Sequence, residues 1–329
     1  MRKLLVISND LAERGVKRGP HTFHPRHAEE IRDATDGKIE FVIAAPDEAA
    51  AHFADAEAIA AFPMRFPDSS KTPNVKWLHS FSAGVDKILT PAVAASDIIV
   101  SNSSGIHAVP IAEHIIGTML MWTRQFHVAV RDQERHLWQK NWEKLDELHG
   151  KNILIVGLGE IGTETARLMH AFGAHVSAVS RSGKNRPEFV ERLETSDKLD
   201  SMLTEADFVL ITLPGTPETN HLFDKTKFAL MKPSAVVINI GRGSIINESD
   251  LVEALQKKII AGSALDVTEK EPLSADSPLW DMPNVIITPH YSGISQKYMD
   301  RAVERFCLNL RAYLAGEPLP NHVDKKLGY

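Results

Sequence analysis

The sequence predicts an α/β protein of two domains, one of which is built on a doubly wound parallel sheet. Short apolar segments alternate with longer helix-like segments along most of the chain, which is the pattern of a parallel sheet flanked by helices. The length of 329 residues suits two hydrophobic cores better than one. A glycine-rich turn also stands between one predicted strand and the helix that follows it.

The predicted elements fall into two runs along the chain. In the first run, strands are expected at 4–8, 40–44, 75–79 and 98–100, and helices at 26–34 and 48–62. Residues 63–74 contain several prolines and serines and are expected to form a surface loop. A long helical segment is expected at 109–140, and six further strands at 152–156, 175–179, 208–212, 236–240, 262–265 and 285–288. The tail, 295–315, is expected to be an amphipathic helix that packs on the first domain.

Composition restricts the possible partners. The net charge of −6 gives no basic surplus for binding nucleic acid. No apolar segment is long enough to cross a membrane, and the single cysteine, Cys307, cannot form an internal disulfide. We therefore expect a soluble, cytoplasmic protein. His21, His24 and His27 are closely spaced, but the nearby prolines favour a loop over a metal site, and no metal is expected.

The strongest motif is a dinucleotide-binding fingerprint. The apolar strand 152–156 leads directly into a G-x-G-x-x-G turn and then into a helix. In this context the first glycine allows a tight turn, the second lets backbone amides approach a pyrophosphate, and the third lets helix and strand pack closely. The motif predicts a Rossmann-type domain, with cofactor contacts from Gly157, Leu158, Gly159, Glu160, Ile161 and Gly162.

The end of the next predicted strand bears on which cofactor is used. An NAD site usually has Asp or Glu there, whereas this chain has Ser180, Arg181 and Ser182. A hydroxyl and a guanidinium can bind a 2′-phosphate through charge-assisted hydrogen bonds. We therefore expect NADP(H) to be favoured over NAD(H); the alternative is a solvated basic loop.

Three later strand ends have ionisable residues, in the segments 239–243, 266–273 and 288–293. Ligands bind at the carboxyl ends of parallel strands. Arg242 suits a carboxylate because its fork binds both oxygens. His290 suits proton transfer near neutrality, and a carboxylate such as Glu271 can hold its tautomer. Singly, each residue could equally serve a turn or a loop.

Taken in order, these segments resemble the D-isomer-specific 2-hydroxyacid dehydrogenase family, which includes glyoxylate and hydroxypyruvate reductases. The resemblance extends over most of the chain, through the segments 82–86, 102–105, 112–114, 157–162, 213–219, 239–243, 266–273 and 288–293. It implies hydride transfer between a nicotinamide cofactor and a small 2-keto or D-2-hydroxy acid. It also implies a smaller, flavodoxin-like substrate domain formed by 1–101 and 292–329, with the dinucleotide-binding domain at 102–291.

The resemblance also implies roles for individual residues. Arg242 would bind the substrate carboxylate and polarise the keto group, His290 would be the general acid, and Glu271 its partner. The backbone amides of Ala83, Gly84 and Val85 would hold the substrate carboxylate. Further cofactor contacts are implied for Leu213, Pro214, Thr219, Ile240, Gly241, Arg242, Asp266, His290 and Gly293. The segment 112–114 is expected to pack within a helix and to take no part in catalysis.

Two alternatives remain open at this stage. The chain could be an NAD-linked dehydrogenase of a larger D-2-hydroxy acid, or a nucleotide-sensing binding protein like the corepressors that share this fold. Formate dehydrogenase is disfavoured, because its members pair the histidine with glutamine where this chain has Glu271. A homodimer is expected from the resemblance, in which the region of Trp138 contributes to the contact.

Overall fold

The chain forms two compact units. The structure, a computed structural model, describes residues 2–8, 19–85, 87–140 and 142–326. One unit, here unit 1, is formed by Met1–His107 with Ile294–Tyr329, and the other, unit 2, by Ala108–Gly293. The domain boundaries expected from the sequence, after 101 and after 291, stay predictions.

Unit 1 is built on a five-stranded sheet whose strands are all parallel. In chain order its elements before residue 108 are β1 (Lys3–Ile7), α1 (Pro25–Thr35), β2 (Glu40–Ala44), β3 (Ala58–Ala61), β4 (Trp77–Ser80), α2 (Pro91–Ala94) and β5 (Ile99–Ser101). The strands lie in the order β2-β1-β3-β4-β5. This is the flavodoxin-like order, so the predicted fold of the smaller domain is confirmed.

The helix expected at 48–62 is wrong. Its second half is β3, a central strand between β1 and β4, and only a short 3₁₀ turn at Ala49–His52 is helical. The alanine-rich sequence favours a helix intrinsically. The four residues of β3 are all buried, and small side chains suit a central strand that is covered on both faces. Tertiary packing therefore outweighs the local preference.

Unit 2 is built on a seven-stranded parallel sheet. Its elements are α3 (Ala108–Thr123), α4 (Phe126–Glu134), β6 (Asn152–Val156), α5 (Glu160–Ala171), β7 (His175–Val179), β8 (Arg192–Glu194), α6 (Leu199–Leu203), β9 (Phe208–Ile211), α7 (Lys225–Leu230), β10 (Val236–Asn239), α8 (Glu248–Gln256), β11 (Gly262–Leu265) and β12 (Val285–Ile287). The strands lie in the order β12-β11-β10-β9-β6-β7-β8. From β6 the strands follow one another first towards one edge of the sheet, to β8, and then from β9 towards the other edge, to β12. This confirms the doubly wound, Rossmann-type prediction.

Two local features of unit 2 differ from the expectation. The short strand β8 had no clear apolar signal, because Arg192 and Glu194 flank its single leucine. The helix expected at 109–140 is interrupted at Gln125, which has a positive φ of 57°.

None of the helices in the described part of the chain combines the length and the apolar content that crossing a bilayer requires.

Each sheet has a hydrophobic core on both of its faces. In β6, Leu154 and Val156 contribute to one cluster of unit 2 while Ile153 and Ile155 contribute to the other, as the alternation of a strand requires. In unit 1, one face is covered by α1 together with the last helix, α9 (Tyr298–Ala315). The C-terminal helix is thus part of the core of the unit that the N-terminus begins.

Candidate active site

The glycine-rich turn follows β6, at the point where the strand order of unit 2 reverses. Gly157 has a φ of 110°, which a residue with a side chain rarely adopts. A Cβ added to Gly162 would lie 2.3 Å from the carbonyl oxygen of Gly157, so only glycine permits this approach of helix and strand. The first and third glycines therefore have the roles that the fingerprint predicts.

The second glycine leaves space at the amino end of α5. A Cβ added to Gly159 would meet no atom within 4 Å, and Gly159 caps the twelve-residue helix that begins at Glu160. The first amides of a helix lack partners within it, and the helix dipole favours negative charge there. Leu158 and Ile161, on either side, pack partly against the core. The turn therefore fits the pyrophosphate of a dinucleotide.

The loop after β7 is a tight turn with an exposed cation. The hydroxyl of Ser180 accepts a hydrogen bond of 3.1 Å from the amide of Gly183, and that of Ser182 accepts one of 3.3 Å from the amide of Lys184. Arg181 is exposed between them. A hydrogen bond from Thr216 lowers the pKa of Glu218, and the charge of Arg181 contributes to that lowering.

The loop after β9 lies against the loop after β10. The hydroxyl of Thr219 donates to the carbonyl of Pro214 and accepts from the amide of Thr216, both at 2.8 Å. A Cβ added to Gly241 would lie 2.5 Å from the carbonyl oxygen of Leu213, so this approach also needs glycine. Ile240, the residue before it, is buried. These contacts fix the course of both loops at the carboxyl edge of the sheet.

Arg242 follows β10 and is held at its backbone by Asn239. The side chain of Asn239, which is 1% exposed, donates to the carbonyl of Arg242 and accepts from the amide of Gly241, both at 3.0 Å. The guanidinium of Arg242 donates to the carbonyl of Gly241 at 2.8 Å. Arg242 also borders a cavity of about 460 Å³ whose other lining residues are Gly215, Thr216, Pro217, Asn220 and Ser244. The arginine is therefore available to an anion.

His290 and Glu271 form a close side-chain pair beyond the carboxyl ends of the neighbouring strands β12 and β11. Nδ1 of His290 lies 2.7 Å from one carboxylate oxygen of Glu271, while the other oxygen accepts from the amide of Thr268 at 3.2 Å. A proton on Nδ1 satisfies this pair, which leaves Nε2 free of the carboxylate. The imidazole is 52% exposed. The pair can therefore present a ring nitrogen to a ligand.

The backbone of His290 is strained. Its φ is 52°, and its amide donates to the carbonyls of Asp266 and Thr288 at 2.8 and 3.0 Å. A residue with a side chain in this conformation costs about 1–3 kcal/mol, and such strain concentrates at functional sites. The hydrogen bonds to the β11 and β12 ends hold the turn against that cost.

Asp266 and His114 form a second network beside this pair. The carboxylate of Asp266, which is 3% exposed, accepts from the hydroxyl of Thr288 at 2.6 Å and from the amides of Tyr291 and Ser292 at 3.2 and 3.1 Å. Nε2 of His114 lies 3.2 Å from the same hydroxyl. Burial lowers the pKa of His114, and Asp266 opposes that effect. Gly293, also an expected cofactor contact, follows Ser292 directly and is half-buried.

His114 was missed by sequence reasoning as a member of the site. The segment 112–114 does lie in a helix, α3, as expected, but His114 joins the strand-end network rather than only packing. The signal available was the residue type itself, because a histidine is ionisable and packing alone does not require an ionisable side chain. A helix face alone could not identify its partner on β12.

In unit 1, Ala83, Gly84 and Val85 follow β4 at the carboxyl edge of the five-stranded sheet. Val85 is buried, and Ala83 and Gly84 are half-buried. Asp86, the last residue of that motif, lies outside the described residues. The amides of Ala83, Gly84 and Val85 donate no hydrogen bond to another described residue. Successive amides of this kind suit an anion.

The three histidines near the start of α1 are engaged locally. Nδ1 of His27 accepts from the amide of His24 at 3.1 Å, and its Nε2 lies 2.7 Å from the carboxylate of Asp300 on α9. The ring of His21 packs edge-on against Tyr298. Among the described residues, no group of three or more His, Cys, Asp or Glu side chains is arranged to hold a metal ion.

Comparison with known proteins agrees with this arrangement. The sequence profile described as "D-isomer specific 2-hydroxyacid dehydrogenase, NAD binding domain" matches residues 116–292. The glyoxylate reductase of Thermofilum pendens is 35% identical over 78% of this chain and 76% of its own length. A solved D-isomer-specific 2-hydroxyacid dehydrogenase family protein from Aeromonas salmonicida has a TM-score of 0.82 and 32% identity, over 99% of this chain and 100% of that chain.

A third similar protein was solved with a nicotinamide cofactor. The NADPH-dependent glyoxylate/hydroxypyruvate reductase of Sinorhizobium meliloti, in complex with NADP and sulfate, has a TM-score of 0.77 and 28% identity, and both chains are covered completely. The matched region contains the glycine turn, Arg242, Glu271 and His290. The chain is an oxidoreductase that acts on CH–OH groups with a nicotinamide cofactor, and it belongs to the D-isomer-specific 2-hydroxyacid dehydrogenase family.

Proposed function

We propose that the protein interconverts a small 2-keto acid and its D-2-hydroxy acid with NADP(H), with glyoxylate or hydroxypyruvate as the keto acid. The observation that carries the proposal is the 2.7 Å pair of His290 and Glu271 on a strained turn. Arg242 follows β10, Glu271 follows β11 and His290 follows β12, and these three strands are neighbours in the sheet. Their side chains therefore stand at the edge where ligands bind in such sheets.

The proposed roles follow from the chemistry of these groups. In the direction of reduction, His290 donates the proton from Nε2 to the keto oxygen, while Glu271 holds the ring and stabilises the imidazolium. Arg242 binds the carboxylate and polarises the keto group. For the amides of Ala83, Gly84 and Val85 we propose the carboxylate-binding role that the family resemblance implies. The nicotinamide cofactor, when bound, supplies the hydride for this reduction.

The cofactor contacts are proposed from the glycine turn and its neighbours. Residues 157–162 would hold the pyrophosphate, and Leu213, Pro214 and Thr219 would line the bound nucleotide. Ile240, Gly241, Arg242, Asp266, His290 and Gly293 would lie along its nicotinamide half. Support comes from the open space above Gly159 and from the relative of Sinorhizobium meliloti, which is described as NADPH-dependent.

The experiment that tests the reaction is a spectrophotometric assay with NADPH and NADH in parallel against glyoxylate, hydroxypyruvate, pyruvate and longer 2-keto acids. We expect rapid NADPH oxidation with one of the first two acids. Oxidation of NADH alone would overturn the cofactor proposal but keep the reaction. Cofactor binding without turnover of any acid would favour the nucleotide-sensing alternative.

The cofactor preference is tested separately at the loop after β7. Replacing Arg181 by alanine removes the guanidinium that we propose contacts the 2′-phosphate. We expect the KM for NADPH to rise about tenfold or more, because a charge-assisted hydrogen bond contributes about 1.5–3 kcal/mol, while the KM for NADH changes little. Lys184→Ala in the same loop is the matched control. Equal losses for both cofactors would remove Arg181 from the phosphate site.

We also propose that the protein is a homodimer that uses an apolar arm of unit 2. The arm consists of residues 124–140 and 142–145, and it surrounds a cavity of about 820 Å³. Trp138 is 91% exposed and Trp142 is 68% exposed. Other exposed apolar side chains on the arm are Phe126, Val130, Leu137 and Leu145. Exposed large apolar side chains clustered in one segment favour a protein partner, and the family resemblance favours a second copy of the chain as that partner.

Sedimentation velocity tests the dimer. The wild-type chain should sediment as a dimer and Trp138→Glu as a monomer, because the charge would be buried in the interface. Trp280→Glu, at a half-exposed tryptophan of the same unit, should leave the dimer intact. A monomeric wild-type chain would contradict the proposal.

A further inference from the structure

Three successive carbonyls of the loop after β4 each accept a hydrogen bond from elsewhere in unit 1. The hydroxyl of Tyr298 donates to the carbonyl of Phe81 at 3.1 Å. The amide of Ser103 donates to the carbonyl of Ser82 at 3.2 Å. The side chain of Asn102 donates to the carbonyl of Ala83 at 2.7 Å. The loop is therefore held on one side over three consecutive peptide units.

This pattern determines where the amides of the loop point. In a trans peptide the carbonyl and the amide of one planar unit point in opposite directions. The unit of Ser82 and Ala83 is fixed by Ser103, so the Ala83 amide points away from that donor. The unit of Ala83 and Gly84 is fixed by Asn102 in the same manner. Both amides donate to no other described residue.

Asn102 is itself fixed by its surroundings. It is 6% exposed, and its side-chain oxygen accepts from the amide of Ser104 at 3.1 Å, which assigns its nitrogen to Ala83. Its backbone amide donates to the carbonyl of Asn321 at 3.3 Å. Asn321 in turn is bonded to the fully buried Asn309 of α9 through its amide at 3.1 Å and its side chain at 3.3 Å. The donor is therefore anchored to the C-terminal helix.

Tyr298 is fixed as well. It stands in the first turn of α9, is 5% exposed, and its ring contacts those of His21 and His107, with centroids 4.6 and 5.4 Å away. Burial raises the pKa of Tyr298 to about 12, and the side chain of Ser82 opposes this effect. The phenol therefore remains protonated and able to donate at any physiological pH.

We propose that Asn102 and Tyr298 are positioning residues for the carboxylate-binding loop. Asn102 fixes the peptide unit of Ala83 and Gly84 and so aims the Gly84 amide at the carboxylate of the substrate. Tyr298 fixes the unit of Phe81 and Ser82, at which the loop starts. This inference rests on the proposed function, because it takes a 2-keto acid as the ligand. The carbonyl bonds keep the amides oriented before the ligand arrives, so binding need not reorganise the loop. Loss of the Asn102 donor frees the Gly84 amide to rotate and weakens the carboxylate contact directly. Loss of the Tyr298 hydroxyl loosens only the start of the loop, where the Ser82 amide still donates to the hydroxyl of Ser80 at 3.1 Å.

Oxamate, an unreactive analogue of a 2-keto acid, is the probe for this proposal. Its dissociation constant is measured by calorimetry on the NADPH-loaded protein for Asn102→Ala and Tyr298→Phe. We expect it to rise about five- to tenfold for Asn102→Ala, the range for one lost hydrogen bond, and by a smaller factor for Tyr298→Phe, because the peptide unit that Tyr298 holds offers no amide to the substrate. The KM for the keto acid should rise by the same factor, while kcat and the affinity for NADPH stay within about twofold, since only carboxylate binding is lost.

Matched controls separate positioning from general stability. Asn74 donates its side chain to the carbonyl of Ala54 at 2.7 Å, and the hydroxyl of Tyr313 donates to Glu57 at 2.9 Å. Asn74→Ala and Tyr313→Phe remove comparable bonds elsewhere in unit 1 and should leave oxamate binding unchanged. Should Asn102→Ala fail to fold, Asn102→Asp is the second variant, because it keeps the size of the side chain and the acceptor for Ser104 but removes the donor to Ala83.

Two outcomes would overturn the inference, and they are distinguishable from failure of the proposed function. In an active wild-type chain, oxamate affinity within twofold of normal for Asn102→Ala would show that this donor does not position the Gly84 amide. Equal weakening by the control variants would show a stability effect only. Failure of the proposed function would instead appear in the wild-type chain, as absence of both keto acid reduction and oxamate binding.

Discussion

The two units differ in the kind of group that forms the edge at which we propose each binds its ligand. In unit 2 the groups are side chains, Arg242, Glu271 and His290, at the ends of three neighbouring strands. In unit 1 they are backbone amides, and the side chains involved, such as Asn102 and Tyr298, lie behind the loop and are buried. A side-chain site can be removed by one substitution, whereas a backbone site can be altered only through the residues that hold it. The two edges should therefore respond differently to mutation.

The largest effect is expected at the side-chain edge. We predict that His290→Ala lowers kcat about 10³-fold, within the range for losing a general acid, while NADPH affinity is kept. Steady-state kinetics and fluorescence titration with NADPH measure the two quantities. His221→Ala is the matched control, because His221 also has a positive φ, 50°, and pairs with a carboxylate, that of Glu269, at 2.9 Å. Near-normal turnover in His290→Ala would remove it from catalysis.

A smaller effect is expected for the anion-binding side chain. Arg242→Ala should lower kcat/KM for the keto acid about 10²-fold, chiefly by raising KM, because a bidentate charge-assisted contact is lost. Arg167→Ala is the control, since that guanidinium is also in unit 2 but pairs locally with Glu164 on α5, at 2.7 Å. If only the unfolding midpoint changed in Arg242→Ala, the arginine would be structural and the contrast between the two edges would fail.

The smallest effect is expected in the buried support of the backbone edge. His79 is fully buried, with Nδ1 at 2.8 Å from the hydroxyl of Ser101 and Nε2 at 3.3 Å from that of Ser103. Burial lowers the pKa of His79 from 6.5 to about 3. Between pH 6.5 and about pH 3 this imidazole is protonated in the unfolded chain but not in the folded chain. The free energy of unfolding therefore falls as the pH falls through this range.

We predict that the wild-type free energy of unfolding falls by about 2 kcal/mol more than that of His79→Asn between pH 7 and pH 5. Urea unfolding followed by circular dichroism at both pH values measures the difference. His170→Asn, at an exposed position of α5, should follow the wild-type chain. If the free energy of unfolding changed by the same amount between pH 7 and pH 5 in the wild type and in His79→Asn, the imidazole would be protonated in the folded unit.

The contrast between the edges also explains what could be predicted from the sequence. Strand β6 was predicted at the bounds that the structure has, because its apolar residues indicate a buried strand. The glycine turn was predicted because the spacing of its glycines indicates both the conformation of the turn and the ligand that it binds. His290 and Glu271 were readable as residue types, and their 2.7 Å contact agrees with the predicted pairing. The proposed catalytic side chains could be predicted because their residue types and their positions after strands indicate their chemistry.

The support of the backbone edge was not predictable in this way. Asn102 and Tyr298 are separated by 196 positions in the sequence. Neither residue type by itself indicates its hydrogen bond, which Asn102 makes to the carbonyl of Ala83 and Tyr298 to that of Phe81. Strand β3 was assigned to a helix for a related reason, since its alanines pack as a strand only between β1 and β4. The missing prediction of this support and the wrong assignment of β3 both arise where contacts between distant parts of the sequence override local conformational preference.

The position of α9 in the core of unit 1 has a consequence for the synthesis of the chain. Strand β1 leaves the ribosome early, but the helix that covers its sheet is complete only at Ala315, after all of unit 2 has been made. Unit 2 is one continuous segment and can complete its own core first. Unit 1 must close a loop as long as unit 2, and the entropy of that closure grows only slowly with length. Unit 1, with the edge that we propose binds the substrate, is thus expected to be the last part of the protein to become native.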